Sequence, residues 1–266
     1  YLSEVVMTSR GPEIRLSRTS PMFLVKLFEN EVPEILDGTI EIKACAREPG
    51  YRAKVAVMST DRDIDPVGAC VGMKGSRVQT IVNELQGEKI DIVRFNEDNE
   101  QFARESLRPA EIQSIMVHHG DHTLDVIVED DQLSLAIGRR GQNVRLAAML
   151  TGWKINIISK SKLQERVKLA VENLLQLAGM NETTAQVLVQ NGIMNIIDLS
   201  AAEPDLVARV SGRTSVDAKT MIETAAAALD NPDIKSDIEM EGEIVSASAV
   251  PQANSLVRKD NRPAVG

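Results

Sequence analysis

Val71-Gly-Met-Lys-Gly-Ser-Arg77 and Ile137-Gly-Arg-Arg-Gly-Gln-Asn143 are one passage written twice. Each holds a G-x-x-G tetrapeptide, Gly72-Met73-Lys74-Gly75 and Gly138-Arg139-Arg140-Gly141. Each follows an apolar stretch and precedes an amphipathic one. Each closes with a Gly, a Lys and an alternating apolar run: Gly87 with Lys89-Ile90-Asp91-Ile92, and Gly152 with Lys154-Ile155-Asn156-Ile157. A single G-x-x-G is common by chance. Two of them in matching contexts describe a duplicated module.

The loop has a definite chemistry. Its glycines let the backbone turn sharply and admit another backbone without a Cβ in the way. The second glycine opens a helix, whose free N–H groups and positive dipole end favour phosphate. Lys74, Arg139 and Arg140 add cationic partners. This is the KH arrangement, in which the loop clamps about four nucleotides. Single-stranded RNA is therefore expected to cross both modules. Gly72, Gly75, Gly138 and Gly141 would allow close approach, with Met73 completing the first tetrapeptide. Lys74, Arg77, Arg139 and Arg140 would contact phosphates. Ser76, Gln142 and Asn143, at the helix starts, would hydrogen-bond phosphate or base edges.

Outward from the loops, each unit reads helix, two strands, helix, loop, helix, strand. This is an α/β (α+β) sandwich with helices on one face of a small sheet. Residues 21–30 form the first helix, ending before Pro33. Residues 39–59 form a hairpin with Ile40, Ile42 and Ala44 alternating on one arm and a turn at Glu48-Pro49-Gly50. Residues 65–70 and 76–86 are helices, the second carrying Val78, Ile81, Val82 and Leu85 as a stripe. Residues 89–95 are a strand. The second unit repeats this with a helix near 98–107, a hairpin at 112–128, helices at 131–137 and 142–151, and a strand at 154–158. Strands at 1–8 and 13–18 precede both units. A helix at 162–178 and short helices over 179–229, with turns at Asn191-Gly192 and Ser211-Gly212, follow. Residues 230–266 are acidic, then small and polar, and read as disordered. The expected domains are 1–20, 21–97, 98–160, 161–229 and a 230–266 tail.

The chain has 266 residues, 43% hydrophobic, and a net charge of −9. Residues 1–160 hold 20 basic and 24 acidic side chains, and residues 161–266 hold 10 and 15. The basic groups of the first part gather at the loops, together with Arg145, and local field matters more to a clamp than net charge. No apolar run reaches 18 residues, so no membrane partner is expected. The start Tyr1-Leu-Ser-Glu4 lacks an initiator Met and a signal pattern, and is read as a fragment of a longer cytoplasmic chain. Cys45 and Cys70 read as reduced core thiols.

Other patterns exclude chemistry. Asp61, Asp63 and Asp65 have calcium-loop spacing, but Pro66 and Gly72 stand where that loop needs Gly and Glu. Gly68-Ala-Cys-Val-Gly72 is not a P-loop. His118, His119 and His122 read as an exposed turn and Trp153 as a core aromatic. No catalytic constellation appears, so neither an enzyme, a cofactor nor a small-molecule substrate is expected.

The quoted passages, with Glu31-Val-Pro-Glu-Ile35, Asp65-Pro-Val-Gly-Ala-Cys-Val-Gly72, Gly75-Ser-Arg-Val78, Gln132-Leu-Ser-Leu-Ala-Ile-Gly138 and Gly141-Gln-Asn143, resemble the NusA family of bacterial transcription factors. The resemblance covers roughly residues 1–160. It implies tandem prokaryotic-type KH modules, preceded by the last strands of an OB-fold. It implies nascent RNA as ligand, with RNA polymerase and other elongation or antitermination factors as partners. It also implies a role in pausing, termination and antitermination. Residues 174–229 more weakly resemble the family's acidic C-terminal repeats, a small all-α, helix-hairpin-helix-like domain. Val210-Ser-Gly-Arg-Thr-Ser-Val-Asp-Ala-Lys-Thr-Met-Ile222 carries that likeness. In the alternative reading the chain is a protein-interaction scaffold acting through this acidic helical part. The second loop departs from the family pattern in having Arg139 where a Lys is expected, which keeps the charge.

Overall fold

A computed structural model describes residues 1–229 and 245–248. The described residues divide into two compact units, one of residues 1–158 with 245–248 and one of residues 159–229.

The first unit opens with an antiparallel ribbon, β1 (Leu2–Thr8) and β2 (Gly11–Leu16). Val5, Met7, Ile14 and Leu16 are all exposed on it. Helix α1 (Pro21–Glu31) is capped by Ser20 and followed by the short α2 (Pro33–Leu36). Proline at N1 suits both, because its missing N–H has no intrahelical partner there.

Strands β3 (Ile40–Glu48) and β4 (Arg52–Ser59) form the expected hairpin. The alternation expected through Ile40, Ile42 and Ala44 is corrected by a bulge between Ile42 and Ala44. A bulge inserts one residue and reverses the faces beyond it. Cys45 therefore joins Ile40 in the module core, while Ala44 and Ala46 turn to the opposite face. Burial pushes both thiols, Cys45 and Cys70, up to about 12, so neither is a thiolate at neutral pH.

β4 pairs in parallel with β5 (Lys89–Arg94). A parallel pair needs a crossover. Here α3 (Pro66–Val71) and α4 (Ser76–Glu84) supply it, and the first G-x-x-G is their joint. The second module repeats the plan with α5 (Asn99–Ser106), β6 (Ser114–His118), β7 (Thr123–Val128), α6 (Leu133–Ile137), α7 (Gln142–Thr151) and β8 (Lys154–Ser159).

Each module has its own core, one around Phe28, Val55 and Ile81 and one around Val126, Ala147 and Trp153. A third cluster joins them. Ala46, Ala56 and Val93, on the outer face of the first sheet, pack against Phe102 of α5 and Leu146 and Leu150 of α7. Glu48 reinforces the joint by accepting from Gln142 Nε2 at 2.8 Å and pairing with Arg145. Beside it Asp91 accepts from Arg52 at 2.8 Å and from the buried Lys54 at 3.0 Å. Burial pulls the Lys54 ammonium below its ordinary value, partly offset by Asp91.

The reading of 230–266 as disordered needs one correction. Val245–Ala247 form strand β9, which pairs antiparallel with β8. Apart from Ser248, the rest of that stretch lies outside the described residues. Three residues are too few for a periodic signal, which is why the sequence did not mark them.

The second unit is helical: α8 (Lys160–Leu174), α9 (Glu182–Gln190), α10 (Ile196–Ser200), α11 (Pro204–Ser211) and α12 (Ser215–Ala228). Asn181, Asn195 and Thr214 cap α9, α10 and α12. Gly192 and Gly212 make left-handed turns where expected. α12 spans 14 residues, longer than the short helices expected, because its alanines let it pack closely on the rest. Among the described residues no helix is long and apolar enough to cross a membrane.

Candidate nucleic-acid interface

The two loops share one backbone. Gly72 and Gly138 have φ/ψ of 74/174 and 72/173, which essentially only glycine adopts. Lys74 and Arg140 are both left-handed at φ 53, an uncommon conformation for long side chains. Gly75 and Gly141 follow, also left-handed, and each is the N-cap of the next helix. The same costly backbone is thus repeated at both sites.

Those N-caps are bare. Asp65 caps α3 and Asp98 caps α5 through hydrogen bonds to backbone N–H groups. At α4 and α7 a glycine stands in that position and no side chain caps the helix. The first N–H groups of each helix, with the dipole behind them, therefore have no side-chain cap, an arrangement that suits an anion. Met73, Lys74, Arg139 and Arg140 are exposed, and the three cations make no ion pair among the described residues. Ser76 is exposed beside them.

Three other expected ligand-facing residues are placed differently. Asn143 is 2% exposed, and its Nδ2 donates to the carbonyls of Leu107, Leu135 and Ala136 at 2.9, 3.2 and 3.2 Å. It is a staple inside the module, not a contact for phosphate or base. Arg77, its counterpart, donates from Nη1 to Ala69 O at 2.7 Å and to Glu34 at 2.9 Å. Ala69 and Leu135 hold equivalent places, so both side chains tie the helix to the same carbonyl ahead of the loop. The physical reason is direction: helix side chains lean toward the N-terminus, here beneath the first glycine. A Cβ on Gly72 would lie 2.8 Å from Arg77 Cγ, and one on Gly138 would lie 2.7 Å from Asn143 Cβ. Gln142, half-buried, donates to Glu48. Glu34 and Glu48 were read in the sequence only as part of a signature passage and of a turn, and no local pattern marks their partners Arg77, Gln142 and Arg145.

Elsewhere, His122 stacks on Trp153 with ring centroids 3.7 Å apart, and Trp153 lies in the second core. His118, His119 and His122 are exposed around that hairpin turn.

Comparison with known proteins agrees with this geometry. Residues 18–95 match the NusA-like first KH domain, and residues 99–165 match the NusA-like second KH domain. The chain is 58% identical over 165 residues to a transcription termination/antitermination protein NusA of Halalkalibacterium halodurans, covering 62% of this chain and 43% of that protein. It is 54% identical over 165 residues to the Bacillus subtilis protein of the same name, with 62% and 44% covered. The Rickettsia prowazekii protein of that name is 42% identical over 219 residues, 80% of this chain and 44% of the relative. The chain thus spans less than half the length of the curated relatives it matches. With two successive KH domains of the NusA-like kind in the expected order, and loops of one geometry in both, the chain belongs to the NusA family.

Proposed function

We propose that the chain is a non-catalytic RNA-binding part of a cytoplasmic transcription factor. It binds single-stranded nascent transcript through both KH modules and modulates pausing, termination and antitermination by RNA polymerase. The observation that carries this is the pair of loops with one backbone, bare helix N-termini and unpaired cations. Gly72, Met73, Lys74, Gly75 and Ser76 form the first contact set, and Gly138, Arg139, Arg140 and Gly141 the second. Arg77 and Asn143 act behind them as staples. The ribbon β1–β2, with apolar side chains uncovered, fits the end of an OB-fold. The helical unit fits a helix-hairpin-helix-like contact for polymerase or for elongation and antitermination factors. The domain limits above follow from this reading.

Fluorescence anisotropy of a labelled single-stranded RNA tests it. Salt-dependent binding is expected for the chain, and its loss in a variant carrying Met73→Asp, Lys74→Asp, Arg139→Asp and Arg140→Asp. Equal affinity of the two would remove the loops from the interface, because phosphate contacts release counterions.

A further inference from the structure

The two modules differ at one sheet edge. In the first, β5 is the last strand among the described residues, and Ile90 and Ile92 remain partly exposed. In the second, β9 lies against β8, with Ile155 opposite Ala247, Asn156 opposite Ser246 and Ile157 opposite Val245. Ile155 and Ile157 correspond to Ile90 and Ile92, yet they are 0% and 1% exposed. Ala247 belongs to the second core, and β9 also packs against α7, the helix that starts at the second loop.

A clamp on phosphates leaves the bases to find a surface beside it. In the first module that surface is where α3 and α4 pack on β5, whose outer edge offers backbone N–H and C=O groups next to partly exposed isoleucines. In the second module the same place is taken. We propose that β9 is an intrachain stand-in for nucleic acid: Val245–Ala247 occupy the base-binding edge of the second module, and RNA engages that module by displacing them. The inference rests on the RNA-binding reading above. Three residues make a strand short enough to be displaced. The sequence leading to it, from Asp230 to Glu243, carries six carboxylates and one lysine, so like charge opposes joint occupancy by strand and RNA.

A reversible lock tests this in the full chain. Asn156→Cys with Ser246→Cys puts thiols on directly opposed residues, while Cys45 and Cys70 are buried. The oxidised chain is expected to bind labelled single-stranded RNA about 10-fold more weakly than the same chain reduced, as fits a binding-competent fraction removed. The difference should vanish when Arg139→Asp and Arg140→Asp are also present. A second variant, Ser246→Pro, weakens the strand and should bind about 5-fold more tightly than the parent. Equal affinity of oxidised and reduced chains, with RNA still bound through the loops, overturns the strand proposal alone. So does a difference that persists after the second loop is disabled. Failure of every form to bind RNA overturns the RNA-binding reading and this inference with it.

Discussion

Helices α4 and α7 begin at loops of the same backbone, yet they end in different surroundings. α4 has one buried side chain, Ile81, and α7 has six. The faces turned to their own cores correspond, Ile81 with Ala147. The opposite faces do not. Leu146 and Leu150 of α7 stand where α4 has Thr80 and Glu84. α7 is packed on its own sheet on one side and on the first module's sheet on the other. The difference teaches that duplication kept the clamp and rewrote the back of one helix into a joint.

The sharpest way to break this comparison is one charge on each helix. Leu146→Asp should destabilise the chain by about 4 kcal/mol, since it buries an unpaired carboxylate and removes a packed leucine. Thr80→Asp, at the matching exposed place, should stay within about 0.5 kcal/mol. Urea denaturation of the two variants checks this, and similar losses would mean that the joint does not form.

The glycines sharpen it further. Gly138→Ala meets Asn143 Cβ and its backbone N at 2.7 and 2.9 Å, whereas Gly72→Ala meets Arg77 side-chain atoms alone, Cγ at 2.8 Å and Cβ and Cδ at 3.1 Å, with no backbone atom among its nearest contacts. Both incur backbone strain. We expect a loss of about 3 kcal/mol for Gly138→Ala and about 1–2 kcal/mol for Gly72→Ala by thermal unfolding. The reverse order would show that the staple does not lie under the loop.

The loops should also differ in salt dependence. On the proposed interface, Arg139→Ala with Arg140→Ala would remove two phosphate contacts and Lys74→Ala one. The slope of log affinity against log salt should shrink by about 1.4 and about 0.7 respectively. Equal changes would mean that only one arginine of the second loop reaches RNA.

How much of this was legible in the sequence follows from what one-dimensional patterns carry. The loops, their flanking helices and the final strands were readable because glycine spacing and apolar periodicity are local. Leu146 and Leu150 are visibly apolar, but a pattern says that a face is buried and not against what. Asn143 and Arg77 look like exposed polar residues at a helix start. Only side-chain direction in three dimensions takes them under the glycines.

The smallest expected effect is at Glu48. Burial raises its carboxyl, but the hydrogen bonds from Arg145 and Gln142 outweigh this and hold it below its ordinary value of 4.5. A depressed folded value contributes stability that is present above 4.5 and lost as pH falls through the folded value. Glu48→Gln should therefore cost about 0.5–1 kcal/mol near neutral pH and nothing once the carboxyl is protonated. A cost that does not change with pH would assign Glu48 a packing role only.

The shared helix has a mechanical consequence. On the proposed reading, an RNA strand gripped at both loops and pulled would load α7 in shear between the two β-sheets it packs against. The spacing between the grips is then a fixed length, and the second grip closes at an effective concentration set by that length instead of by a flexible linker. On the RNA-binding reading proposed above, such a part would work as a ruler that measures the nucleotides between two clamps.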